Sequence, residues 1–331
     1  MRASVSVNAI IPVAGRGKRI RPHTHTQPKV LMNVAGKPIL AYILDELRDL
    51  GVEEIVLVVG HLAEKIEEYV REHYAFRAHF VRQDEPMGNG HAVYVAREYL
   101  TGPTLIVFGD TVVQTDLRAA AGLPHSAIGV HRVEDPRAFG VVEVNKDGIV
   151  RHLWEKPEVP PSDLAAVGVY MIQRPAPFRR ALEELVEGRR MVDGEYWLAD
   201  ALQIMIDHGE RLQTFQVGEW YDCGTPEALL RANRALLDRL QPPTAQIAGS
   251  VIVPPSAIAA TAVVEGSVLG PYVTVADGAR VVNAVIQESI INANARVEDV
   301  LLEYSIIGDN AAVTGRRGRI NLGDSSEIEL S

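Results

Sequence analysis

The sequence lacks the features that mark secreted and membrane proteins. Its single cysteine, Cys223, has no partner in the chain for a disulfide, and one thiolate is too few for a thiolate metal site. No run of about 18 uncharged apolar residues is present to span a bilayer. The first residues carry neither the basic flank nor the long apolar run of a secretory signal. We therefore expect a cytoplasmic protein without a membrane anchor.

Positive charge is also scarce, because 33 Lys and Arg stand against 43 Asp and Glu, for a net charge of −10. Duplex binding depends on clustered cations that release counterions, so we expect no nucleic-acid partner. A small anionic substrate would need local cations to overcome the global field. The chain has one such cluster, made of Arg16, Lys18, Arg19, Arg21 and Lys29.

The first third of the chain alternates between strand and helix patterns. A buried strand over residues 7–13 runs into glycines, and a helix follows from Pro38 to Gly51. Further strands and helices alternate up to a strand that ends before Gly109-Asp110. This order predicts a doubly wound sheet, in which ligands bind beyond the carboxyl ends of the strands. Gly15 and Asp110 should both lie there.

Residues 127–173 change to shorter alternating segments, which we interpret as an insertion of mixed strands that forms the other wall of a cleft. A helix over 226–240 then ends in Gln241-Pro242-Pro243, where consecutive prolines stop it. These features predict one domain over residues 1–240, a linker over 241–250 and a second domain over 251–331.

An internal repeat occupies the second domain. Val281, Val297 and Val313 recur every 16 residues, and Ser289-Ile-Ile-Asn292 is echoed by Ser305-Ile-Ile-Gly308. A solenoid of short stacked strands explains this spacing, because each coil returns its aliphatic residue to the same interior line. The alternative is a set of ordinary antiparallel strands.

The cationic cluster lies in a glycine-rich stretch, Gly15-Arg-Gly-Lys-Arg19-Ile-Arg-Pro22, followed by Gln27-Pro-Lys29. Glycines after a buried strand let backbone N–H groups approach phosphate oxygens, while Arg and Lys supply positive charge. The spacing matches neither a dinucleotide-binding fingerprint nor a Walker loop. On its own this stretch is equally explained by a tight turn with solvated cations.

Resemblance to a known family adds to this pattern. Residues 8–40 resemble the opening signature of sugar-1-phosphate nucleotidylyltransferases, whose usual form is G-x-G-T-R-(L/M)-x-P-x-T followed by P-K. Further motifs of that family follow in its order: Gln83-Asp-Glu-Pro-Met-Gly88-Asn-Gly-His91-Ala, Phe108-Gly-Asp110, Phe139-Gly-Val-Val-Glu143, Glu155-Lys-Pro157, Gly168-Val-Tyr170, Gly194-Glu-Tyr196 and Trp220-Tyr-Asp222-Cys-Gly-Thr225. The repeats and Asn321-Leu-Gly-Asp-Ser-Ser326 resemble the long, glucose-1-phosphate thymidylyltransferase-like members.

The resemblance implies a fold and a reaction. The fold is a Rossmann-like, doubly wound mixed sheet followed by a short left-handed parallel β-helix of the hexapeptide type. The reaction transfers a nucleotidyl group from dTTP or UTP to a sugar 1-phosphate, with glucose 1-phosphate as the expected sugar, by Mg²⁺-dependent in-line displacement that releases pyrophosphate. The partners are the NTP, the sugar 1-phosphate and further copies of the chain in a homo-oligomer.

Three other functions are alternatives to this reaction. A non-catalytic relative that binds sugar nucleotides would be expected to lose phosphate or metal groups, and those are present here. A guanylyltransferase acting on mannose 1-phosphate is a second alternative. Acyl transfer by the β-helix commonly uses a histidine base, and the last histidine, His208, precedes the repeats.

The resemblance also assigns roles to residues. Arg19 and Lys29 would stabilise the charge that builds up around phosphorus, and Asp110 and Asp222 would bind Mg²⁺, with Asp110 also catalytic. The residues implied in nucleotide binding are Ala14, Gly15, Gly17, Gln83 and Gly88, where the Gln83 amide would match a pyrimidine edge and Gly88 would leave room for the ring. The residues implied in sugar phosphate binding are Gly140, Glu155, Lys156 and Gly168.

Plain structural explanations compete with several of these roles. Asp110 follows a strand, where an aspartate is often a turn residue or a helix cap, and the same explanations apply to Asp222 in its Trp-Tyr-Asp-Cys-Gly turn. Lys156 beside Pro157 is equally explained as a solvated lysine. Two positions depart from the family pattern: Lys18 stands where Thr is usual, and Val167 where Asn or Thr often precedes the glycine. The second departure puts one hydrogen bond to the sugar in doubt.

Overall fold

The computed structural model describes residues 7–243, 245–315 and 321–330, with no side chain described for 329 or 330. Within these residues, no helix has both the length and the apolar character needed to cross a bilayer. The first thirteen strands are β1 Asn8–Pro12, β2 Asn33–Val34, β3 Lys37–Pro38, β4 Glu54–Val59, β5 Arg77–Arg82, β6 Thr104–Val107, β7 Thr111–Gln114, β8 Ser126–Arg132, β9 Gly140–Val144, β10 Val150–Glu155, β11 Leu164–Ile172, β12 Leu212–Gln216 and β13 Glu219–Asp222.

Seven α-helices accompany these strands within the described residues. They are α1 Ile39–Leu50, α2 Ala63–His73, α3 Asn89–Val95, α4 Leu117–Ala121, α5 Pro175–Glu187, α6 Leu198–Asp207 and α7 Pro226–Leu240. Helix α3 stops at Val95, and a single 3₁₀ turn, Arg97–Tyr99, follows it. α1 ends where predicted, before Gly51, whose φ of 91° suits a left-handed helix terminus.

The chain forms two compact units and passes between them three times. The first unit holds residues 1–15 and 43–220, and the second holds residues 16–42 and 221–331. The predicted domain boundaries at residues 240 and 250 stay a prediction, because compactness alone does not show which segments fold independently.

A nine-stranded sheet forms the centre of the first unit. Its strand order is β10-β9-β11-β6-β1-β4-β5, with β8 paired to β11 and β12 paired to β8. Strands β6, β1, β4 and β5 run parallel, whereas β11 is antiparallel to β6. The predicted mixed α/β sheet is therefore confirmed. Strand β1 has a continuous apolar run because Ala9, Ile10 and Ile11 are fully buried.

The strands between residues 127 and 173 belong to the same sheet. They were interpreted as an insertion of mixed strands, and β11 pairs with β6 from Val169 to Ile172. β9, β10 and β8 then extend this sheet from β11. The pairing joins segments more than 60 residues apart, so no local pattern reports it.

The repeats of the second unit form a parallel β-helix. Its strands are β14 Val251–Ile252, β15 Ala257–Ile258, β16 Val263–Glu265, β17 Val268–Leu269, β18 Thr274–Val275, β19 Arg280–Val282, β20 Val285–Gln287, β21 Ile290–Ile291, β22 Arg296–Glu298, β23 Leu301–Glu303, β24 Ile306–Ile307, β25 Ala312–Gly315, β26 Asn321–Leu322 and β27 Glu327–Leu330. They stack as three parallel sheets, the arrangement of a left-handed β-helix. Val281, Val297 and Val313 are in register and fully buried, which confirms the predicted interior line and contradicts antiparallel strands.

Helix α7 packs on this β-helix through a buried asparagine, Asn233. Its Oδ1 accepts hydrogen bonds from the Ala35 amide at 2.8 Å and from Thr274 Oγ1 at 2.6 Å. Its Nδ2 donates to the Tyr272 carbonyl at 3.1 Å. One side chain of α7 therefore joins the hairpin segment of β2 to two positions of the β-helix. A buried amide with its partners in place specifies this packing more sharply than an apolar contact would.

Candidate active site

The glycine loop and Asp110 lie at the same edge of the sheet, as predicted. Parallel strands β6, β1 and β4 all end there, and the Gly109 amide donates to the Pro12 carbonyl at 3.1 Å. Ala14 follows β1 and is buried against Gly60, which follows β4: a Cβ on Gly60 would lie 2.8 Å from the Ala14 carbonyl oxygen. Gly15 is exposed, with open space where a Cβ would stand. Its backbone is thus accessible at the sheet edge.

Asp110 occupies a turn between β6 and β7 and is half-buried. It is not the cap of a helix, because a strand follows it, so the turn is the structural explanation that competes with metal binding. Gly168 contacts Phe108, which precedes this turn. Gly168 has a φ of 77°, and a Cβ there would lie 2.9 Å from the Phe108 ring. The backbone amide of Phe108 donates to the Gly168 carbonyl at 2.9 Å. Val167 is buried, with 1 % exposed.

Gln83 follows β5 at the same edge and is buried. Its amide nitrogen donates to the Gly88 carbonyl at 3.1 Å and to His91 Nδ1 at 3.0 Å. Burial lowers the pKa of His91, which favours the neutral ring that accepts a hydrogen bond at Nδ1. Both N–H bonds of the Gln83 amide are therefore engaged inside the protein. The part of this side chain that suits a nucleobase is the acceptor, Oε1.

The backbone of Tyr196 requires glycine at position 88, whose expected role near the nucleobase stays a prediction. The φ of Gly88 is 95°, and a Cβ would lie 2.5 Å from the Tyr196 carbonyl oxygen and 2.9 Å from the Tyr196 nitrogen. The Tyr196 amide donates to the Met87 carbonyl, and the Gly90 amide donates to the Tyr196 carbonyl, both at 2.8 Å. The space that glycine leaves is therefore filled by the backbone of the Gly194-Glu-Tyr196 motif, which explains why both motifs occur in one chain.

Three residues predicted to bind the sugar phosphate come together in the first unit. Glu155 pairs with Gly140 across β9 and β10, and a Cβ on Gly140 would lie 3.3 Å from Glu155 Oε2. Lys156 has a φ of 45°, and its Nζ lies 3.4 Å from Glu155 Oε1 and 3.8 Å from the centre of the Trp197 ring. This position over an aromatic face makes Lys156 more than a freely solvated lysine.

Burial raises the pKa of Glu155, while Lys156 acts against that shift. Asp200, in the first turn of α6, adds a further raising contribution, and burial raises the pKa of Asp200 itself. Its Oδ2 is buried and has no hydrogen-bond partner among the residues that the structure describes. Neither Asp200 nor Trp197 was predicted as a site residue. Their position just after the Gly194-Glu-Tyr196 motif was the only signal.

In the second unit, the residues from Arg16 to Lys29 fold into three single 3₁₀ turns, Lys18–Ile20, His23–His25 and Lys29–Leu31; we call this segment the cationic loop. Arg19 is exposed, as is Lys18, whereas Lys29 is buried with 7 % exposed. Gly17 has a φ of 58°, and a Cβ there would lie 3.2 Å from Lys29 Cβ. The glycine thus lets the first turn close over the buried lysine.

Asp222 lies beside Arg19 within the same unit. A Cβ on Gly224 would lie 2.9 Å from Arg19 Nη2 and 3.0 Å from Asp222 Oδ2. Asp222 does not cap α7, because Thr225 Oγ1 does so by accepting from the Ala228 amide at 3.2 Å. The cap explanation for Asp222 is therefore wrong. A side chain at position 224 would therefore make the Arg19 guanidinium or the Asp222 carboxylate shift.

The acidic residues suit Mg²⁺ by ligand chemistry, since this ion prefers carboxylate oxygens together with phosphate and water. Across residues 7–243, 245–315 and 321–330, no group of three or more His, Cys, Asp and Glu side chains is arranged to hold a metal ion. An ion held at Asp110 or Asp222 would therefore have to take most of its ligands from phosphate and water.

Comparisons with known proteins identify the family. The model of the family described as Nucleotidyl transferase matches residues 8–239. The chain is 31 % identical over 359 residues to a glucose-1-phosphate thymidylyltransferase of Streptomyces griseus, covering 98 % of this chain and all of that protein. It is 36 % identical over 236 residues to the bifunctional protein GlmU of Methanocaldococcus jannaschii, covering 71 % of this chain and 55 % of that protein.

A solved UDP-glucose pyrophosphorylase, complexed with UDP-glucose, shares the fold. The two superpose with a TM-score of 0.61 at 24 % identity, over 71 % of this chain and 99 % of that one. The family resemblance seen in the motifs is confirmed by the family model and by the thymidylyltransferase relative, which covers 98 % of this chain. The chain belongs to the nucleotidyl transferase family, as a sugar-1-phosphate nucleotidylyltransferase.

Proposed function

We propose that the chain transfers a nucleotidyl group from dTTP or UTP to glucose 1-phosphate and releases pyrophosphate. The observation that carries this proposal is the arrangement of the second unit, where a buried lysine lies under a glycine turn and Arg19 lies beside Asp222. The choice of substrates draws support from the thymidylyltransferase relative, which covers nearly all of this chain, and from the pyrophosphorylase that shares its fold.

The reaction needs charge neutralisation more than proton removal. The attacking oxygen of a sugar phosphate is already anionic at neutral pH, so no strong general base is required. Negative charge builds up around the α-phosphorus and on the departing pyrophosphate, and Arg19 and Lys29 stabilise it. Lys29 is the stronger contributor per contact, because solvent screens a buried charge less.

Asp110 and Asp222 would hold Mg²⁺, with phosphate oxygens and water as the remaining ligands. When bound, the ion supplies further neutralisation of the triphosphate. Ala14, Gly15 and Gly17 contribute backbone close to the phosphates, because their side chains are absent or small.

Gln83 selects the base through its acceptor atom. Uracil and thymine present an N3–H donor, which matches Gln83 Oε1, whereas cytosine N3 and adenine N1 are acceptors and would face another acceptor. Guanine also presents a donor, at N1. This leaves the guanylyltransferase alternative open and disfavours CTP and ATP.

Glu155 and Lys156 bind the sugar half. The ammonium group of Lys156, fixed over Trp197, neutralises the sugar phosphate, and Glu155 accepts hydrogen bonds from sugar hydroxyls. Gly140 keeps the space next to the Glu155 carboxylate free of a side chain, and Gly168 supports the Asp110 turn through Phe108.

A pyrophosphate-release assay tests the proposal. UTP, dTTP, GTP, CTP and ATP are each paired with the 1-phosphates of glucose, galactose, mannose and N-acetylglucosamine. We expect turnover with UTP or dTTP and glucose 1-phosphate. Preference for GTP and mannose 1-phosphate would select the guanylyltransferase, and no release with any pair would select the non-catalytic relative. Assembly as a homo-oligomer and a cytoplasmic location stay predictions, checked by sizing and by cell fractionation.

A further inference from the structure

The last described coils of the β-helix hold the cationic loop by side-chain hydrogen bonds. His23, of which 1 % is exposed, donates from Nε2 to Asn321 Oδ1. Thr26 Oγ1 donates to Asp324 Oδ2. These bonds join residues 298 positions apart within the second unit. We call residues Asn321–Asp324 the docking coil.

Apolar contact completes the docking. Gly323 is buried against Pro22, and a Cβ on this glycine would lie 2.6 Å from Pro22 Cβ and 2.7 Å from Pro22 Cγ. Only a glycine lets the coil approach the proline ring this closely. The two hydrogen bonds and this contact cover residues 22–26, the middle of the cationic loop.

The docked segment is connected directly to the phosphate-binding residues. Thr24 is 3 % exposed, and its Oγ1 donates to the Gly17 carbonyl at 2.8 Å. A Cβ on Gly17 would lie 2.8 Å from the methyl group of Thr24 and 3.2 Å from Lys29 Cβ. Docking at residues 22–26 therefore fixes the turn that carries Arg19 and the turn that carries Lys29.

The docking coil is in turn tied to the coils before it. The Asp309 amide donates to Asp324 Oδ1 at 3.1 Å, and the Ala293 amide donates to Asp309 Oδ1 at 3.0 Å. The Gly308 amide donates to the Leu322 carbonyl at 2.8 Å. A line of carboxylates at one corner of the β-helix thus connects the loop to successive coils of a rigid solenoid.

We propose that Asn321, Gly323 and Asp324 are positioning residues for nucleotidyl transfer, which hold Arg19 and Lys29 in the geometry that binds the triphosphate. This proposal rests on the phosphate-binding role proposed above for the cationic loop. The β-helix then serves the reaction directly, through a loop that its last coils immobilise before the NTP binds. Without the docking, the cationic loop would have to become ordered when the NTP binds, and the entropy lost in that step would weaken NTP binding.

The test compares Asn321→Ala with Asn321→Asp in the full chain. Loss of the acceptor in Asn321→Ala should lower kcat/KM for the NTP about tenfold, as expected for one buried hydrogen bond whose donor is stranded. Binding of inorganic pyrophosphate should weaken to a similar degree, while KM for the sugar 1-phosphate stays unchanged. Asn321→Asp keeps an acceptor oxygen at the same position and should restore activity to within about twofold of wild type.

The matched control is Gln287→Ala. Gln287 donates to Glu303 Oε1 at 2.8 Å between neighbouring coils of the same β-helix, on an exposed surface. Its loss should leave kcat/KM unchanged. Thr26→Val is the second docking variant, because it removes the bond to Asp324 from the loop side and leaves every residue of the β-helix in place; it should lower kcat/KM in the same direction as Asn321→Ala.

Two results separate the possible failures. If Asn321→Ala and Thr26→Val are as active as wild type while Arg19→Ala is inactive, the docking proposal is overturned and the role of the loop stands. If both Arg19→Ala and Lys29→Met retain near-normal turnover, the proposed role of the loop fails and the docking proposal fails with it. A purely structural contact would lower the melting temperature of Asn321→Ala without the selective loss of pyrophosphate binding.

Discussion

The two compact units contribute different chemistry. The first unit holds Gln83, Glu155 and Lys156, which are proposed to select the base and bind the sugar phosphate, and it also holds Asp110. The second unit holds Arg19 and Lys29 on a loop that contacts the β-helix. In the proposed reaction, substrate selection and neutralisation of the triphosphate therefore depend on different stretches of the chain. Substitutions at Gln83, Glu155 or Lys156 should change which substrates react, whereas substitutions at Arg19 or Lys29 should slow every reaction alike.

The largest effect is expected at the two aspartates that are proposed to bind Mg²⁺. Asp110→Asn and Asp222→Asn keep the size of the side chain but remove its charge, so Mg²⁺-dependent turnover should fall by at least about a thousandfold. Pyrophosphate release measured over a Mg²⁺ titration checks this. Asp193→Asn is the control, since Asp193 has a φ of 52°, which asparagine tolerates well. Near-normal turnover in either site variant would remove that residue from the mechanism.

The next effect belongs to the cationic loop alone. Lys29→Met fills the buried space without the charge and should lower kcat about a hundredfold or more, as for the loss of one oriented group that stabilises transition-state charge. The loss should be equal for all accepted sugars. Arg21→Ala, an exposed neighbour in the same loop, serves as the control. A loss that depends strongly on the sugar would contradict the division between the units.

A smaller effect is expected at the base. Gln83→Glu keeps an acceptor but loses both N–H donors to Gly88 and His91, so the carboxylate is no longer fixed in one orientation. Discrimination between UTP and CTP should drop about tenfold, while the ranking of sugar 1-phosphates should not change. Competition assays with paired NTPs measure the ratio. An altered sugar ranking would show that base and sugar selection are not separate.

The parts predicted correctly from sequence are those with a local signal. The apolar run of β1 and the 16-residue spacing of Val281, Val297 and Val313 reflect burial along one strand or one interior line, and both appear directly in the residue order. The pairing of β11 with β6 has no such signal, because it joins distant segments that are each amphipathic or apolar by themselves. The sheet was therefore predicted in type but not in extent.

The site followed the same rule. Gly15 and Asp110 were placed correctly at the sheet edge, because each directly follows a strand. The role of Gly88 near the nucleobase stays a prediction, whereas the contact of its missing side chain with Tyr196, more than 100 residues away, had no local signal. The docking of His23 on Asn321 was not predicted for the same reason. Residue type indicates what a group could do, but only tertiary contacts show which neighbour requires it.

The smallest effect is expected on the pH dependence of stability, at the contact between His23 and Asn321. Burial lowers the pKa of His23 below 6.5, although Asn321 and Asp324 act in the opposite direction. The unfolded chain therefore binds a proton at a higher pH than the folded chain, and the free energy of unfolding should fall as the pH drops from about 6.5 toward the lowered pKa. His23→Gln still offers a donor to Asn321 but does not titrate. This substitution should reduce the pH dependence by at most about 1.4 kcal/mol per pH unit, measured by urea unfolding between about pH 5 and 7.

The control is His91→Gln, which should also reduce the pH dependence of the free energy of unfolding, because burial lowers the pKa of His91 as well. Only His23→Gln should change the pH dependence of pyrophosphate binding. An unchanged slope in His23→Gln would mean that His23 binds protons equally in the folded and unfolded states, and the contact would then contribute to loop geometry without making stability depend on pH.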